Sequence, residues 1–192
     1  NPICFAVPSE KNEAIFLDMA VSQYSYGRIG TYRLAGQKLP FAGGYDSEGK
    51  LTTDPAEIEK TNRALPMGYW KGSGLAIMLD IMAAILSDGN TGMDLDREGQ
   101  GSGTGCSQIF IVFDPAVVAP LEGIKQKVDQ RADEARSSHP IDPEKPVQMP
   151  SDKSRKTREE NLKLGVHVDD KIWQQVQAIA AGDMDIVDIS SR

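Results

Sequence analysis

The chain has 192 residues, of which 40% are hydrophobic and 26% charged, and its formal net charge is -7. This size and composition are ordinary for a soluble globular protein, so one domain is the first expectation. An acidic chain without a stripe of Lys and Arg is poorly suited to a phosphate backbone, which argues against nucleic acid as a partner. A membrane span is not expected either, because Asp80 interrupts the best apolar run.

The few cysteines and histidines point to no metal or disulfide chemistry. Cys4 and Cys106 do not make a disulfide framework, and both are expected to be small buried residues in or beside strands. His139 and His167 show no ligand spacing with them, so a zinc site is not expected. This use of cysteine favours a reducing compartment, the cytoplasm.

The first part of the chain predicts two strands and a helix. Residues 3–7 and 14–20 are apolar runs of strand length, and the chain begins inside the first of them, as a fragment would. Asp18 lies near the end of the second run, where open α/β sheets place ligand contacts. The alternative is that Asp18 caps the segment that follows from residue 21. A helix is predicted over about residues 23–34, and Asp54 with Pro55 predicts the start of a short helix through Lys60.

One stretch dominates the middle of the chain: Leu65-Pro66-Met67-Gly68-Tyr69-Trp70-Lys71-Gly72-Ser73-Gly74. Its Pro and first Gly predict a turn, and Trp70 beside Lys71 offers a planar side chain and a cation to a planar, anionic ligand. The small residues that follow predict a helix start whose N–H groups an anion can approach. The alternative is that the aromatic residues only pack against the helix.

A helix is predicted from about residue 72 to 86, and because it is apolar nearly all round, it is expected to be buried on both sides as the centre of the core. Residues 89–105 predict a loop. The glycines at its end lack the G-x-G-x-x-G spacing and precede a strand, so they are not a dinucleotide fingerprint. Residues 107–113 are apolar and β-branched, which makes them the clearest predicted strand.

The last part of the chain predicts three helices. The first covers about residues 122–137 and is followed by a Pro-rich connector over residues 138–150. The second begins at Ser151 or Asp152 and ends at Gly165. Asp169 caps the third, in which Ile172, Val176 and Ile179 are expected to face inward.

Three motifs together resemble the type-2 malate/L-lactate dehydrogenase family: Asn1-Pro2 before a strand, Leu17-Asp18-Met19-Ala20-Val21-Ser22, and the stretch from Leu65 to Gly74. Within this family, Arg33-Leu34-Ala35-Gly36 and Gly43-Gly44-Tyr45-Asp46 are most similar to the reductases of diketo sugar acids. The resemblance covers nearly the whole chain and weakens after about Ala119.

The resemblance implies an enzyme, an oxidoreductase that uses NAD or NADP to reduce 2-oxo acids or diketo sugar acids. It implies a three-layer α/β/α fold with a mixed sheet that is not a Rossmann fold, and a homodimer. Residues 1–119 would form the cofactor-binding core and residues 120–192 a helical part completing the same unit. Carried over by position, the cofactor-binding residues are Ile15, Phe16, Leu17, Asp18, Met19, Ala20, Val21, Trp70, Lys71, Ser151 and Asp152.

The sequence departs from the family in two places. Ser151 and Lys153 differ from the Gly and acid usual at that corner. The family's catalytic His, in a Ser-His-Gly motif, matches nothing in residues 1–192, so the proton donor is expected in polypeptide upstream. Two alternatives therefore remain: an inactive chain that only binds a cofactor or partner, and another branch of the family acting on malate, lactate, ureidoglycolate or cyclic imino acids.

Overall fold

The computed structural model describes residues 2–11, 14–99 and 105–183, in which short strands precede and interrupt a series of helices. The strands are β1 (Ile3–Pro8), β2 (Ala14–Met19), β3 (Gly44–Tyr45) and β4 (Leu51–Thr52). β1 pairs with β2, and β3 pairs with β4 in antiparallel register. The helices are α1 (Tyr26–Leu34), α2 (Pro55–Thr61), α3 (Trp70–Ser87), α4 (Gly92–Glu98), α5 (Leu121–Arg136), α6 (Asp152–Leu164) and α7 (Asp170–Ala180).

The chain divides into two compact units. Unit 1 is formed mainly by Asp18–Val112, and unit 2 by Cys4–Leu17 together with the chain from Phe113 onward. The division falls between Leu17 and Asp18, within β2, so the predicted cofactor residues are shared between the units.

The core of unit 1 lies where α1 and α2 meet. Ile29, Leu39 and Ile58 are buried together there, with Tyr24 and Tyr32 packed against them. α1 begins after Ser25, whose hydroxyl accepts from the N–H of Arg28. The cap of the first helix is therefore Ser25, and the alternative role of Asp18 as a cap is wrong. The predicted helix after Asp54 is confirmed, since its carboxylate accepts from the N–H of Ala56.

The Gly43-Gly44 pair of the sequence motif is a packing feature of this core. Both glycines are buried. A Cβ at Gly44 would meet the carbonyl oxygen of Arg63 at 2.5 Å, and one at Gly43 would meet Leu39 at 2.6 Å. These two residues must be small because backbone and core side chains approach them closely.

The prediction that α3 is buried on both sides is wrong. Ile85 is 70% exposed, and the buried residues of this helix are Gly72 and Ala84. The α3 apolar surface spans about 180° of the helix, because its members are spaced one and four residues apart; they are Ile77, Met78, Ile81, Met82, Ile85 and Leu86. The 18 residues of α3 also satisfy the length and composition of a membrane-crossing helix, contrary to the argument from Asp80, although core helices of soluble proteins pass the same test.

Two further predictions fail between α3 and α5. Residues 107–113 form no strand: Ser107 Oγ donates to the carbonyl of Asn90 at 2.8 Å, and Phe110 beyond it is 83% exposed. Within the predicted loop 89–105 lies helix α4, whose Thr91 and Asp94 cap each other reciprocally. Most of the glycine run itself, residues 100–104, lies outside the described residues.

In unit 2 the helix bounds agree with prediction, but several burial predictions do not. α5, the connector before α6, and α6 ending at Gly165 are confirmed, and Asp169 accepts from the N–H of Lys171 at the start of α7. The inward-facing residues predicted for α7 are all exposed, which corrects that prediction: Ile172, Val176 and Ile179. Cys4 in this unit and Cys106 in unit 1 are likewise exposed rather than buried.

Candidate functional site

In unit 1 the segment after β2 is joined to the turn before α3 by main-chain hydrogen bonds. The N–H of Met67 donates to the carbonyl of Val21 at 2.9 Å, and the N–H of Gln23 donates to the carbonyl of Leu65 at 2.7 Å. Val21 is 1% exposed, so this junction is buried at its centre. Two stretches that the sequence separates by more than forty residues are thereby held side by side, as an antiparallel pair.

The turn itself ends in an unusual backbone conformation. Tyr69, immediately before α3, has φ 56° and ψ -116°, a conformation that residues other than Gly rarely adopt. Its N–H donates to the carbonyl of Pro66 at 3.2 Å, and its carbonyl accepts from the N–H of Ser73 at 3.1 Å. Holding a bulky residue in such a backbone conformation costs about 1–3 kcal/mol of folding free energy, and such residues occur mainly at functional sites.

Trp70 and Lys71 belong to the first turn of α3, whereas the sequence placed them before the helix. Trp70 is 76% exposed, and Lys71 is exposed beside it. Gly72, in contrast, is buried, and a Cβ at this position would overlap the carbonyl oxygen of Met67. The absence of a side chain at Gly72 lets the helix start lie against the turn, with the indole and ammonium groups left on the surface.

The cofactor residues predicted in and just after β2 differ in their exposure. Ile15 and Val21 are buried, whereas Phe16, Leu17 and Asp18 are exposed. Met19 and Ala20 are half-buried. In unit 1, the predicted residues Asp18 to Val21 therefore lead directly into the bond between Val21 and Met67. Trp70 follows Met67 by three residues.

In unit 2 the corner before α6 is a network of charged hydrogen bonds. Arg136 donates to Asp152 through Nε at 3.0 Å and through Nη2 at 2.9 Å, and the N–H of Met149 donates to Asp152 Oδ2 at 2.9 Å. The bonds from Arg136 are the main reason why the pKa of the Asp152 carboxyl lies below its ordinary value. Arg155 donates through Nη2 to Ser151 Oγ at 2.6 Å and to the carbonyl of Ala14 at 3.1 Å.

A second polar cluster in unit 2 was missed by the sequence analysis. The Asp129 carboxylate, on a side chain 5% exposed, accepts from Ser9 Oγ at 2.6 Å and from the N–H groups of Glu10 and Lys11. The Ser9 hydroxyl contributes most to lowering the pKa of Asp129. Asp129 lies in a charge-rich helix that resembles a solvated surface, and no local pattern distinguishes it from its exposed neighbours.

Neither histidine lies in a setting that suggests proton transfer. His139 lies in the connector between α5 and α6, His167 lies between α6 and α7, and both are exposed. Among residues 2–11, 14–99 and 105–183, no group of three or more His, Cys, Asp or Glu side chains is arranged to hold a metal ion.

Residues 1–177 match the malate/L-lactate dehydrogenase family. The chain belongs to this family. It is 38% identical over 179 residues to the 2,3-diketo-L-gulonate reductase of Citrobacter koseri, covering 93% of this chain and 53% of that relative. It is 37% identical over the same length to the 2,3-diketo-L-gulonate reductase of Escherichia coli strain K12, with the same coverage. The chain thus spans about half the length of these relatives.

Solved dehydrogenase structures share the α/β fold of this chain. The sulfolactate dehydrogenase from Methanocaldococcus jannaschii matches with a TM-score of 0.74 and 28% identity, over 94% of this chain and 52% of the neighbour. The malate dehydrogenase from Pyrococcus horikoshii matches with a TM-score of 0.75 and 27% identity, over 95% of this chain and 51% of the neighbour. The predicted fold class, that of the sulfolactate and malate dehydrogenases, is confirmed.

Proposed function

We propose that this chain is the cofactor-binding part of an NAD(P)H-dependent oxidoreductase that reduces a 2-oxo acid or a diketo sugar acid such as 2,3-diketo-L-gulonate to the hydroxy acid. The observation that carries the proposal is the junction of Val21 with Met67 at 2.9 Å, which brings the Asp18–Val21 segment to the turn that precedes Trp70 and Lys71. The identity to 2,3-diketo-L-gulonate reductases supports the substrate class.

The surface groups beside this junction fit a pyridine nucleotide. Trp70 offers an exposed planar face to an aromatic ring, and Lys71 offers a cation to a phosphate or carboxylate. The exposed carboxylate of Asp18 can accept hydrogen bonds from sugar hydroxyls. Separately from these groups of unit 1, Asp152 in unit 2 can contact a polar ligand, because its Oδ2 already accepts two bonds whereas its Oδ1 accepts one and can accept another.

When bound, the reduced nicotinamide supplies the hydride. The residues of this chain would bind and orient it: Trp70 would cover one side of a ring, and Lys71 would hold a negative group near the start of α3. The alkoxide produced at the substrate needs a proton, and the exposed settings of His139 and His167 offer no positioned acid. The proposal therefore assigns the proton to a histidine outside residues 1–192.

The direct test is a titration of the chain with NADH and with NADPH, followed by fluorescence. Trp173 is the second tryptophan, so the Trp173→Phe variant leaves Trp70 as the single indole that a bound cofactor would quench. We expect saturable quenching in this background and an affinity about tenfold weaker in Lys71→Ala, because one charge-assisted contact is lost.

The matched control is Lys38→Ala, which removes an exposed lysine of unit 1 that belongs to none of the stretches expected to bind the cofactor. It should leave the affinity unchanged. Unchanged affinity in Lys71→Ala would remove that residue from the site, and no binding of either nucleotide by the unmodified chain would overturn the proposal.

The second candidate function is a catalytically incompetent chain that binds only a cofactor or a partner. The observation that favours it is the exposure of the α3 apolar surface, on which Ile85 is 70% exposed. Contiguous exposed apolar surface marks an interaction site. Because the chain spans about half of its relatives' length, further polypeptide or a second copy of this chain, as in a homodimer, would cover this surface.

Turnover and association separate the two candidates. We propose assaying pyruvate, oxaloacetate, a cyclic imino acid and 2,3-diketo-L-gulonate with NADH and NADPH, and the hydroxy acid ureidoglycolate with NAD+ and NADP+, which also separates the substrate branches. Binding without turnover would favour the second candidate. Sedimentation of the chain and of Ile85→Lys should show self-association that the variant weakens if a second copy covers α3.

We propose that the protein is located in the cytoplasm. The proposed nicotinamide chemistry and the two free, exposed cysteines fit a reducing cytoplasm. Localisation of a fluorescent fusion of the chain tests this, and an export to an oxidising compartment would contradict it.

A further inference from the structure

One arginine of unit 2 connects the Ser151–Asp152 corner to the residue that precedes Ile15, and the family resemblance implies that both this corner and the stretch from Ile15 onward bind the cofactor. Arg155, in the first turns of α6, donates through Nη2 to the carbonyl of Ala14 at 3.1 Å and to Ser151 Oγ at 2.6 Å. Ala14 is the first residue of β2 and directly precedes Ile15. A single guanidinium group thus ties the start of the strand segment to the corner at Ser151.

The conformation of Ser151 makes this bond more than an incidental surface contact. Ser151 has φ 72° and ψ -15°, in the left-handed region where glycine is favoured. Its side chain forms no capping bond to the main chain of α6. The hydroxyl is instead held by Arg155, while the N–H of Arg155 donates to the carbonyl of Ser151 at 3.0 Å. Both the side chain and the backbone of Arg155 therefore define the shape of this corner.

The other side of the corner is fixed independently. Asp152 accepts two bonds from Arg136 and one from the N–H of Met149. A bidentate pair of this kind orients a carboxylate as well as holding it. Arg136 thus sets the direction of Asp152, and Arg155 sets the distance between the corner and β2.

The Nε donor of Arg155 indicates that stabilising the fold is not the whole role of this arginine. Its Nε is buried and has no hydrogen-bond partner in the part of the chain that the structure describes. A buried donor left unpaired is costly, so an arginine kept only for stability would be expected to use it.

We infer that Arg155 is a positioning residue of the cofactor site, which holds the Ala14 end of β2 and the Ser151–Asp152 corner in the relative placement that the cofactor requires. This inference rests on the proposed function. Arg155 acts through Ala14 and Ser151 and is not assigned a contact with the cofactor. Preorganised supporting residues of this kind set how well a binding site fits its ligand.

The test uses the full chain and NADH or NADPH, whichever the unmodified chain binds more tightly. In Arg155→Ala the affinity should fall about tenfold, because the bonds to Ala14 and Ser151 no longer hold the corner in place and binding must supply the free energy of ordering it. The matched control is Arg158→Ala, an exposed arginine on the same helix one turn later, which should bind as the unmodified chain does.

Chemical rescue distinguishes positioning from general stabilisation. Guanidinium ion at a concentration far below denaturing levels should restore the affinity of Arg155→Ala, because it can occupy the vacated space and donate to the same two acceptors. Ammonium ion at the same concentration should not. Failure of guanidinium to restore binding in a folded Arg155→Ala chain would show a merely structural role and overturn the inference.

Arg155→Lys keeps the positive charge, and it replaces Arg155→Ala as the test variant if Arg155→Ala does not fold. A lysine is a single-point donor without the planar fork that reaches both acceptors, so its affinity should also be reduced. Unchanged binding in Arg155→Lys, or in Arg155→Ala, overturns this inference alone. Absence of nucleotide binding by the unmodified chain overturns the proposed function and this inference with it.

Discussion

The N–H of Met67 donates to the carbonyl oxygen of Val21 at 2.9 Å, and this bond determines where the start of α3 lies relative to the end of β2. Trp70 comes three residues after Met67 and Lys71 comes four residues after it, and Asp18 comes three residues before Val21. The geometry of the candidate site in unit 1 therefore depends on a junction made by the main chain, which substitutions can disturb only through the backbone around it.

Gly72→Ala should disturb this junction, because the new Cβ would overlap the carbonyl oxygen of Met67. We expect unfolding free energy to fall by roughly 1–3 kcal/mol, as for other forced overpacking. Nucleotide affinity should fall as well. Denaturant titration and the fluorescence assay measure the two effects.

Gly74→Ala is the control for that substitution. It lies in the same helix with nothing within 4 Å of an added Cβ, so it should be neutral or stabilise by up to about 1 kcal/mol. Equal destabilisation by both variants would show that loss of glycine, and not contact with Met67, is responsible.

Replacement of Tyr69 should separate backbone strain from the role of its side chain. At φ 56°, Tyr69→Gly removes the strain, whereas Tyr69→Ala removes the same aromatic ring and keeps the strain. The Gly variant should be more stable than the Ala variant by about 1 kcal/mol or more. Both should bind nucleotide more weakly than the unmodified chain if the ring covers the ligand. A Gly variant less stable than the Ala variant would contradict the assignment of strain.

Local signals in the sequence predicted helix starts well. Asp54 followed by Pro55 predicted α2, and Asp169 predicted α7, because a cap involves atoms only a few residues apart. The same logic could have found α4, since Thr91 and Asp94 have capping-box spacing. Its glycine-rich surroundings concealed this signal.

Burial was predicted poorly, because it depends on what packs against an element. The composition of α3 demands a covering surface but does not say which polypeptide supplies it, and Ile85 is left exposed. A strand over residues 107–113 likewise needs a partner strand, and sequence reports only the tendency to pair. The bond between Arg136 and Asp152 crosses the Pro-rich connector, and no spacing rule connects those positions.

The Asp129 cluster should make unit 2 sensitive to acid. The pKa of Asp129 in the folded chain is lowered, first by the Ser9 hydroxyl and then by the N–H groups of Glu10 and Lys11. A lowered folded pKa contributes stability that is present above the ordinary carboxyl range and is lost as pH falls through the folded value. Asp133 and Asp152 shift in the same direction, so the thermal midpoint should fall on acidification.

Asp129→Asn tests this assignment. The variant replaces one carboxylate oxygen with an NH₂ group, which cannot accept the hydrogen bonds that Ser9, Glu10 and Lys11 donate. The thermal midpoint at neutral pH should be lower than in the unmodified chain, and its further decline between about pH 7 and pH 3 should be smaller. Glu122→Gln removes an exposed carboxylate from the same helix and should leave the profile unchanged. A full acid decline in Asp129→Asn would assign the sensitivity to other carboxyl groups.

The same truncation should destabilise unit 1 strongly at one isoleucine and hardly at all at another. Ile58 is fully buried between α1 and α2, whereas Ile77 is 56% exposed on the α3 apolar surface. Ile58→Ala leaves a cavity and should cost about 2–5 kcal/mol of unfolding free energy, while Ile77→Ala should stay within about 0.5 kcal/mol. Denaturant titration at low protein concentration, where self-association is suppressed, measures both. If Ile77→Ala costs as much as Ile58→Ala under these conditions, then another part of the chain covers α3 in solution and its surface is not free.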